Sequence, residues 1–265
     1  MGLSREHGRG LSADGTAPPP LRKRIVQGAL LRAGYQLQRV YPRDYPGDVV
    51  EIIERVKPYT MTSPARIADT CFSVDYVTKH ELPGAIVECG VWRGGSTMAM
   101  ALRLLSHGAG DRDLYLFDTF AGMAEPGEED VARDGFDAAR TWAAGRRGDE
   151  NAWGYADIED VRRAIESTGY EADRMHLVKG MVETTLPAQA PESITLLRLD
   201  TDFYSSTKHE LEHLFPRLVT GGVLILDDYG YWGGARRAAD EYFEAHGVRI
   251  LLHRTDATGR VGVKQ

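Results

Sequence analysis

Long apolar runs, cysteines and an excess of positive charge are all scarce in this chain. No stretch is apolar for long enough to span a bilayer, so no membrane partner is expected. The first residues lack the apolar segment of a secretory signal. The sixth residue is Glu6, where an N-myristoylation pattern needs Ser or Thr. There are only two cysteines, Cys71 and Cys89, which argues against a disulfide scaffold and for a reducing, cytoplasmic setting. With 32 basic and 39 acidic side chains the formal net charge is -7, and the basic stripe of a nucleic-acid binder is absent. What is present is ordinary globular composition, 42% hydrophobic and 27% charged over 265 residues. That length suits one large α/β domain or two small ones with a core of useful size.

Residues 1–22 are rich in Gly, Ser, Pro and charge and read as a disordered tail. Residues 23–83 read as a helical extension, with helices over Ile25–Val40 and Ala65–Lys79, the second stopped before Pro83. From residue 84 to 265 strands alternate with helices. The strands are Ala85–Cys89, Leu114–Asp118, Met175–Lys179, Ile194–Leu199 and Val223–Asp227. Helices fit at Ser96–His107, Ile158–Ser167, Ser205–Leu218 and Ala235–His246. This order implies an α/β fold with a doubly wound, mostly parallel sheet. Arg249–His253 and Arg260–Val263 flank a hairpin turn and supply an antiparallel edge, for seven strands. Residues 121–156 interrupt the rhythm after a strand's carboxyl end, and read as a partly helical lid or, alternatively, as a decorative insertion.

The turn Glu88-Cys89-Gly90-Val91-Trp92-Arg93-Gly94-Gly95-Ser96 joins the first strand to its helix. Its glycines admit close approach of a ligand, Ser96 is a candidate N-cap, and the helix N-terminus attracts an anion. The spacing is Gly-x-x-x-Gly-Gly, not the Gly-x-Gly-x-x-Gly of dinucleotide sites. Glu88 suits the ammonium of an amino-acid cofactor better than a pyrophosphate. Asp118, ending the second strand, suits ribose hydroxyls but fits NAD as well. The expected ligand is therefore S-adenosylmethionine. The rivals are an NAD-binding oxidoreductase, a non-catalytic cofactor-binding protein and an empty turn.

Two further strands end in acids, Asp200-Thr201-Asp202 and Asp227-Asp228. A parallel sheet brings these ends together beside the glycine turn, where the carboxylates would repel one another. A hard cation such as Mg²⁺ relieves that repulsion, lowers the pKa of a bound hydroxyl and positions it. Asp200 serves as both ligand and base in this reading, with Asp202 as the alternative base or as a helix cap. His209-Glu210-Leu211-Glu212-His213 matches a zinc-protease pattern, but no third ligand follows at a recognisable spacing. Leu211, Leu214 and Leu218 would cover the sheet and leave the histidines near solvent.

The chain resembles the macrocin O-methyltransferase family from about Pro58 to Phe243. The resemblance rests on Tyr59–Ser63, Val87–Ser96, Phe117–Met123, Leu199–Asp202 and Gly221–Tyr229. It implies a class I methyltransferase, Rossmann-like fold, Mg²⁺ dependence, and methyl transfer to a deoxysugar hydroxyl of a glycosylated natural product. A catechol or phenol is the alternative acceptor. Carried over, Asp200, Asp227 and Asp228 hold the metal. Glu88, Gly90, Trp92, Ser96 and Asp118 contact S-adenosylmethionine, with Val91, Thr119 and Phe120 beside them. Thr60 and Met61 match the segment closing over the cofactor, and Gly180, Met181 and Val182 match the adenine-side loop. Residues 1–45 and 121–156 carry no transferable motif. Acceptor choice is expected there, as is pairing of the N-terminal helix with a second copy.

Overall fold

The structure is a computed structural model and describes Val26, residues 29–35 and residues 39–265. The tail 1–22 lies outside the described residues, as does much of the helix expected over Ile25–Val40. The described helical turns there end at Arg32 rather than Val40. Gly34 takes φ 82°, and the Tyr35 N–H returns to the Leu30 carbonyl at 2.8 Å, a left-handed helix stop. Residues 1–44 and 45–265 form separate compact units, and the functional residues belong to the second.

That unit is built on a seven-stranded sheet and a small two-stranded one. In chain order β1 is Ala85–Cys89, β2 Leu114–Asp118, β3 Arg146–Arg147, β4 Glu150–Asn151, β5 Met175–Lys179, β6 Ile194–Leu199, β7 Leu218–Leu226, β8 His253–Arg254 and β9 Arg260–Val263. The large sheet runs in the order β5-β2-β1-β6-β7-β9-β8, and β3 pairs with β4. β5, β2, β1, β6 and β7 are parallel, and β9 and β8 form the expected antiparallel edge. Every residue of β1 and β6 is buried, as central strands covered on both faces must be. The strand order reverses between these two, and their carboxyl ends open the crevice where such sheets bind ligands.

Several bounds differ from expectation. β7 begins at Leu218, not Val223: Leu218 pairs with Ile194 of β6, and on the other side Gly221 donates to the Lys264 carbonyl and Gly222 accepts from the Lys264 N–H. Leu218 therefore belongs to a strand, and the preceding helix ends at Leu214. β8 keeps only His253–Arg254; Leu251 is 85% exposed and unpaired in the ladder. An unexpected helix, Gly47–Val56, buries Val49, Ile52, Ile53 and Val56 on one face. Cys71 and Cys89 are free and buried, and burial raises both thiols, Cys71 to about 12. No helix among the described residues is long and apolar enough to cross a membrane.

The 121–156 segment is an ordered insertion. It contains helix Ala138–Gly145, capped by Asp137, and a small hairpin, Arg146–Arg147 with Glu150–Asn151. It closes on itself through Asn151 N–H to the Ala121 carbonyl (2.7 Å) and Trp142 Nε1–H to the Met123 carbonyl (3.0 Å). Its buried Asp130 accepts from the Tyr204 N–H at 2.8 Å. Asp130 thus caps helix Tyr204–Leu214, whose own N-cap residue, Phe203, cannot.

Candidate active site

The glycine turn is held by its own geometry and by Asp118. Gly90 has φ 80°, and a Cβ there would stand 2.0 Å from the Asp200 carbonyl oxygen, so only glycine lets β1 and β6 end this close together. Gly94, at φ 86°, is the N-cap of helix Gly95–Ser106. Ser96 is therefore not the cap expected of it; it lies inside the first turn, buried. Asp118 Oδ2 accepts from the N–H groups of Val91 (2.7 Å) and Trp92 (2.9 Å), and Oδ1 accepts from Phe120 (2.7 Å). Much of its acceptor capacity thus shapes the turn.

One cavity of about 480 Å³ lies over the crevice. Thr60, Met61, Gly90, Val91, Trp92, Ser96, Asp118, Thr119, Gly180, Met181 and Val182 line it, together with Asp200, Asp227 and Asp228. Two expected contacts lie behind the wall instead. Phe120 is buried, and Glu88 is fully buried, accepting from the Thr97 hydroxyl and from Arg198 Nη1 at 2.7 Å. Burial pushes the Glu88 carboxyl up to about 7, against the pull of Arg198. The insertion supplies Met123, Ala124 and Gly154 to the cavity wall, and Tyr231 and Thr258 complete the far side.

Arg198 is the residue the sequence reading missed. It sits within the apolar run of β6, in register with Glu88, and is 1% exposed. Its Nη1 meets Glu88 and Asp200 at 2.7 Å each, and its Nη2 meets Asp227 Oδ1 at 2.7 Å. A signal existed: a single charge inside a buried strand must be paired. Arg66, from the first turn of helix Pro64–Lys79, reaches the other Asp227 oxygen and also Asp256, at 3.1 Å. Burial alone would raise Asp256, but the Ser63 hydroxyl, the Gly259 and Thr258 N–H groups and Arg66 hold it at about 2.

The acids thus meet two guanidinium groups that the sequence did not announce. They relieve part of the repulsion; carboxylate remains in excess. Burial first, then the charge of Asp200, pushes Asp202 up to about 7. Burial, then Asp202 and Asp200, raises Asp228 well above the usual carboxylate range. Asp200, Asp227 and Asp228 each offer an oxygen, all within 4.8 Å of one another, so this hard donor set fits a divalent cation. Asp202 is not a helix cap. Its φ is 69°, and its Oδ1 accepts from Trp232 Nε1–H at 2.5 Å.

The His209–His213 motif is no protease site. Glu210, which would be the base, points inward, is fully buried and hydrogen-bonds Thr201 Oγ1 at 3.1 Å. Glu212, not a distant residue, joins His209 and His213 as a trio of ligand atoms within 4.8 Å. Burial, with the charge of Glu183, pushes Glu210 up to about 8 although Thr201 opposes it. A carboxyl raised from 4.5 to about 8 on folding keeps its proton longer in the folded state. Its destabilising effect is absent below about pH 4.5 and grows as pH rises towards 8. Glu210→Gln is therefore expected to gain on the order of a few kcal/mol over the parent at pH 8 and little at pH 5, read by denaturant melts. An equal effect at both pH values would contradict this.

A doubly wound sheet with its cavity at the strand-order reversal, a Gly-x-x-x-Gly-Gly turn and an acid ending β2 together define a class I methyltransferase. The chain belongs to the macrocin-O-methyltransferase (TylF) family, whose model matches residues 37–262, and it is an S-adenosylmethionine-dependent O-methyltransferase. It is 33% identical over 201 residues to the 8-demethyl-8-(2,3-dimethoxy-alpha-L-rhamnosyl)-tetracenomycin-C 4'-O-methyltransferase of Streptomyces olivaceus, covering 76% of this chain and 74% of that one. It is 32% identical over 200 residues to the demethyldecarbamoylnovobiocin O-methyltransferase of Streptomyces niveus, covering 76% and 70%. The solved structure of the O-methyltransferase NovP superposes with a TM-score of 0.69 at 27% identity, covering 92% of this chain and 98% of that one.

Proposed function

We propose that this enzyme methylates a sugar hydroxyl of a glycosylated natural product, with a divalent cation, Mg²⁺ by preference, held by Asp200, Asp227 and Asp228. The observation that carries the reading is the shared cavity: the glycine turn and the acid trio face the same space. The relative named for a rhamnosyl-tetracenomycin favours a sugar acceptor over a catechol.

In this reading Val91, Trp92, Ser96 and the start of helix Gly95–Ser106 seat the amino-acid end of S-adenosylmethionine, with Thr60 and Met61 over it. Asp118 and Thr119 lie at its ribose, and Gly180, Met181 and Val182 at its base. Glu88 acts through Arg198 and Thr97 rather than by touching the ammonium. A bound cation would lower the pKa of the acceptor hydroxyl. We place the general base at Asp202 rather than Asp200. Asp200 is ion-paired with Arg198 at 2.7 Å and belongs to the ligand trio, whereas Asp202 lines the cavity, has no arginine ion pair among the described residues, and is oriented by the Trp232 N–H on its Oδ1.

The test is transfer of labelled methyl from S-adenosylmethionine, with Mg²⁺, to a panel of rhamnosyl and other deoxysugar glycosides and simple catechols. Methylation of a glycoside, abolished by chelator, is the expected result. Transfer confined to catechols, or undiminished in excess chelator, would overturn the reading.

A further inference from the structure

Asp202 occupies the left-handed backbone region, at φ 69°, which residues with a side chain seldom adopt, and two contacts hold it there. Its N–H donates to Asp228 Oδ2 at 3.1 Å, and its Oδ1 accepts the Trp232 indole N–H at 2.5 Å. A hydrogen bond to a carboxylate is among the stronger ones. It fixes the rotation of the carboxyl group of a residue that lines the cavity.

Trp232 itself is 3% exposed and boxed by rings. Phe203 lies edge-on at 5.3 Å and Tyr231 at 5.1 Å. The remaining sides are closed by the insertion: Phe136 at 6.3 Å and Trp153 at 6.4 Å, which also meet each other at 5.6 Å. The backbones are tied as well. Ala132 forms a β-bridge with Trp232, the Gly233 N–H donates to the Val131 carbonyl, and the Arg133 N–H to the Tyr231 carbonyl, both at 2.9 Å. The same insertion lends Met123, Ala124 and Gly154 to the cavity wall. A continuous chain of contacts thus runs from the cavity wall at Met123 and Ala124, through Trp153 and Phe136, to the indole that orients Asp202.

We propose that Trp232 is a positioning residue for Asp202, and that through it the 121–156 insertion makes turnover depend on how the acceptor is seated. The proposal rests on the reading of Asp202 as base. It assigns the insertion a part in catalysis as well as in acceptor choice. Trp232→Phe keeps a ring in the box while removing the N–H together with part of the indole's bulk, and the unchanged acceptor KM and S-adenosylhomocysteine affinity expected below separate the two losses. Phe136→Ala, at a position 40% exposed, loosens the box from the insertion side without touching Asp202.

The experiment has two arms. In the first, steady-state methyl transfer to a rhamnosyl glycoside is measured for both variants, with S-adenosylhomocysteine affinity by calorimetry. Trp232→Phe is expected to lower kcat at least tenfold with acceptor KM and S-adenosylhomocysteine affinity within about twofold of the parent. Phe136→Ala is expected to raise acceptor KM and lower kcat together. In the second, the indole N–H signals of the four tryptophans are followed by NMR in the unliganded protein. The Trp232 proton, identified by its loss in Trp232→Phe, should exchange with solvent more slowly than in Asp202→Ala or Phe136→Ala. A parental kcat in Trp232→Phe, or a Trp232 proton whose exchange is indifferent to both substitutions, overturns the proposal. If the parent methylates no glycoside while the Trp232 proton behaves as expected, the failure lies with the acceptor reading, and the Trp232–Asp202 contact stands.

Discussion

Asp228→Asn is expected to lower kcat by about two to four orders of magnitude, the range lost when a metal-activated, base-assisted proton transfer is disabled. The substitution keeps shape and an oxygen able to accept the Asp202 N–H. It removes one carboxylate from the trio that also includes Asp200 and Asp227. Asp228 is not among the groups at the glycine turn, so S-adenosylhomocysteine affinity should stay within about threefold of the parent in calorimetry. A comparable loss of cofactor affinity would mean that the acids serve the cradle rather than the acceptor. Asp228 is chosen over Asp227 because Asp227 is held by both Arg66 and Arg198. Its removal would confound metal loss with unpaired guanidinium groups.

Arg198→Met is expected to cost about 3–5 kcal/mol of stability in urea denaturation, the usual penalty for removing one partner of a buried ion pair. The side chain lies in the middle of the sheet and serves Glu88, Asp200 and Asp227. Without it, Glu88 keeps only the Thr97 hydroxyl, and Asp227 keeps Arg66. Arg198→Lys should rescue little, because one ammonium cannot reproduce a fork that meets acids on two neighbouring strands. Adding Glu88→Gln to Arg198→Met should recover part of the loss, since the two sites are in contact and their effects are not additive. A strictly additive double variant would show that Arg198 acts by filling space.

The parts of this molecule written in short-range pattern were legible. β1, β2, β5 and β6 are apolar runs bounded by turns, and their limits stand as expected. The glycine turn and the acid-ended strands sit at the same carboxyl edge, as the parallel order demands. Helix Gly47–Val56 carries the same kind of local signal, a helical period at Val49, Ile52, Ile53 and Val56. Other features depend on tertiary neighbours. β7 extends back to Leu218 because Leu218 pairs with Ile194 of β6 and the chain returns at Lys264 to pair with its glycines. Ser96 yields the cap to Gly94 because the turn needs a positive φ there. Arg66 lies 161 residues from Asp227 in sequence, and Trp232 lies 30 from Asp202; no local spacing announces either pairing. The acids were visible from the sequence, while the arginines and the indole that hold them were not.

The central claim, a divalent cation held by Asp200, Asp227 and Asp228, is tested most directly by counting bound Mn²⁺ by electron paramagnetic resonance, with Mg²⁺ as competitor. The parent should bind one Mn²⁺ per chain at this site, displaced by Mg²⁺ and lost in Asp228→Asn but retained in His213→Gln. Mn²⁺ binding that survives Asp228→Asn, or none in the parent, would contradict the account.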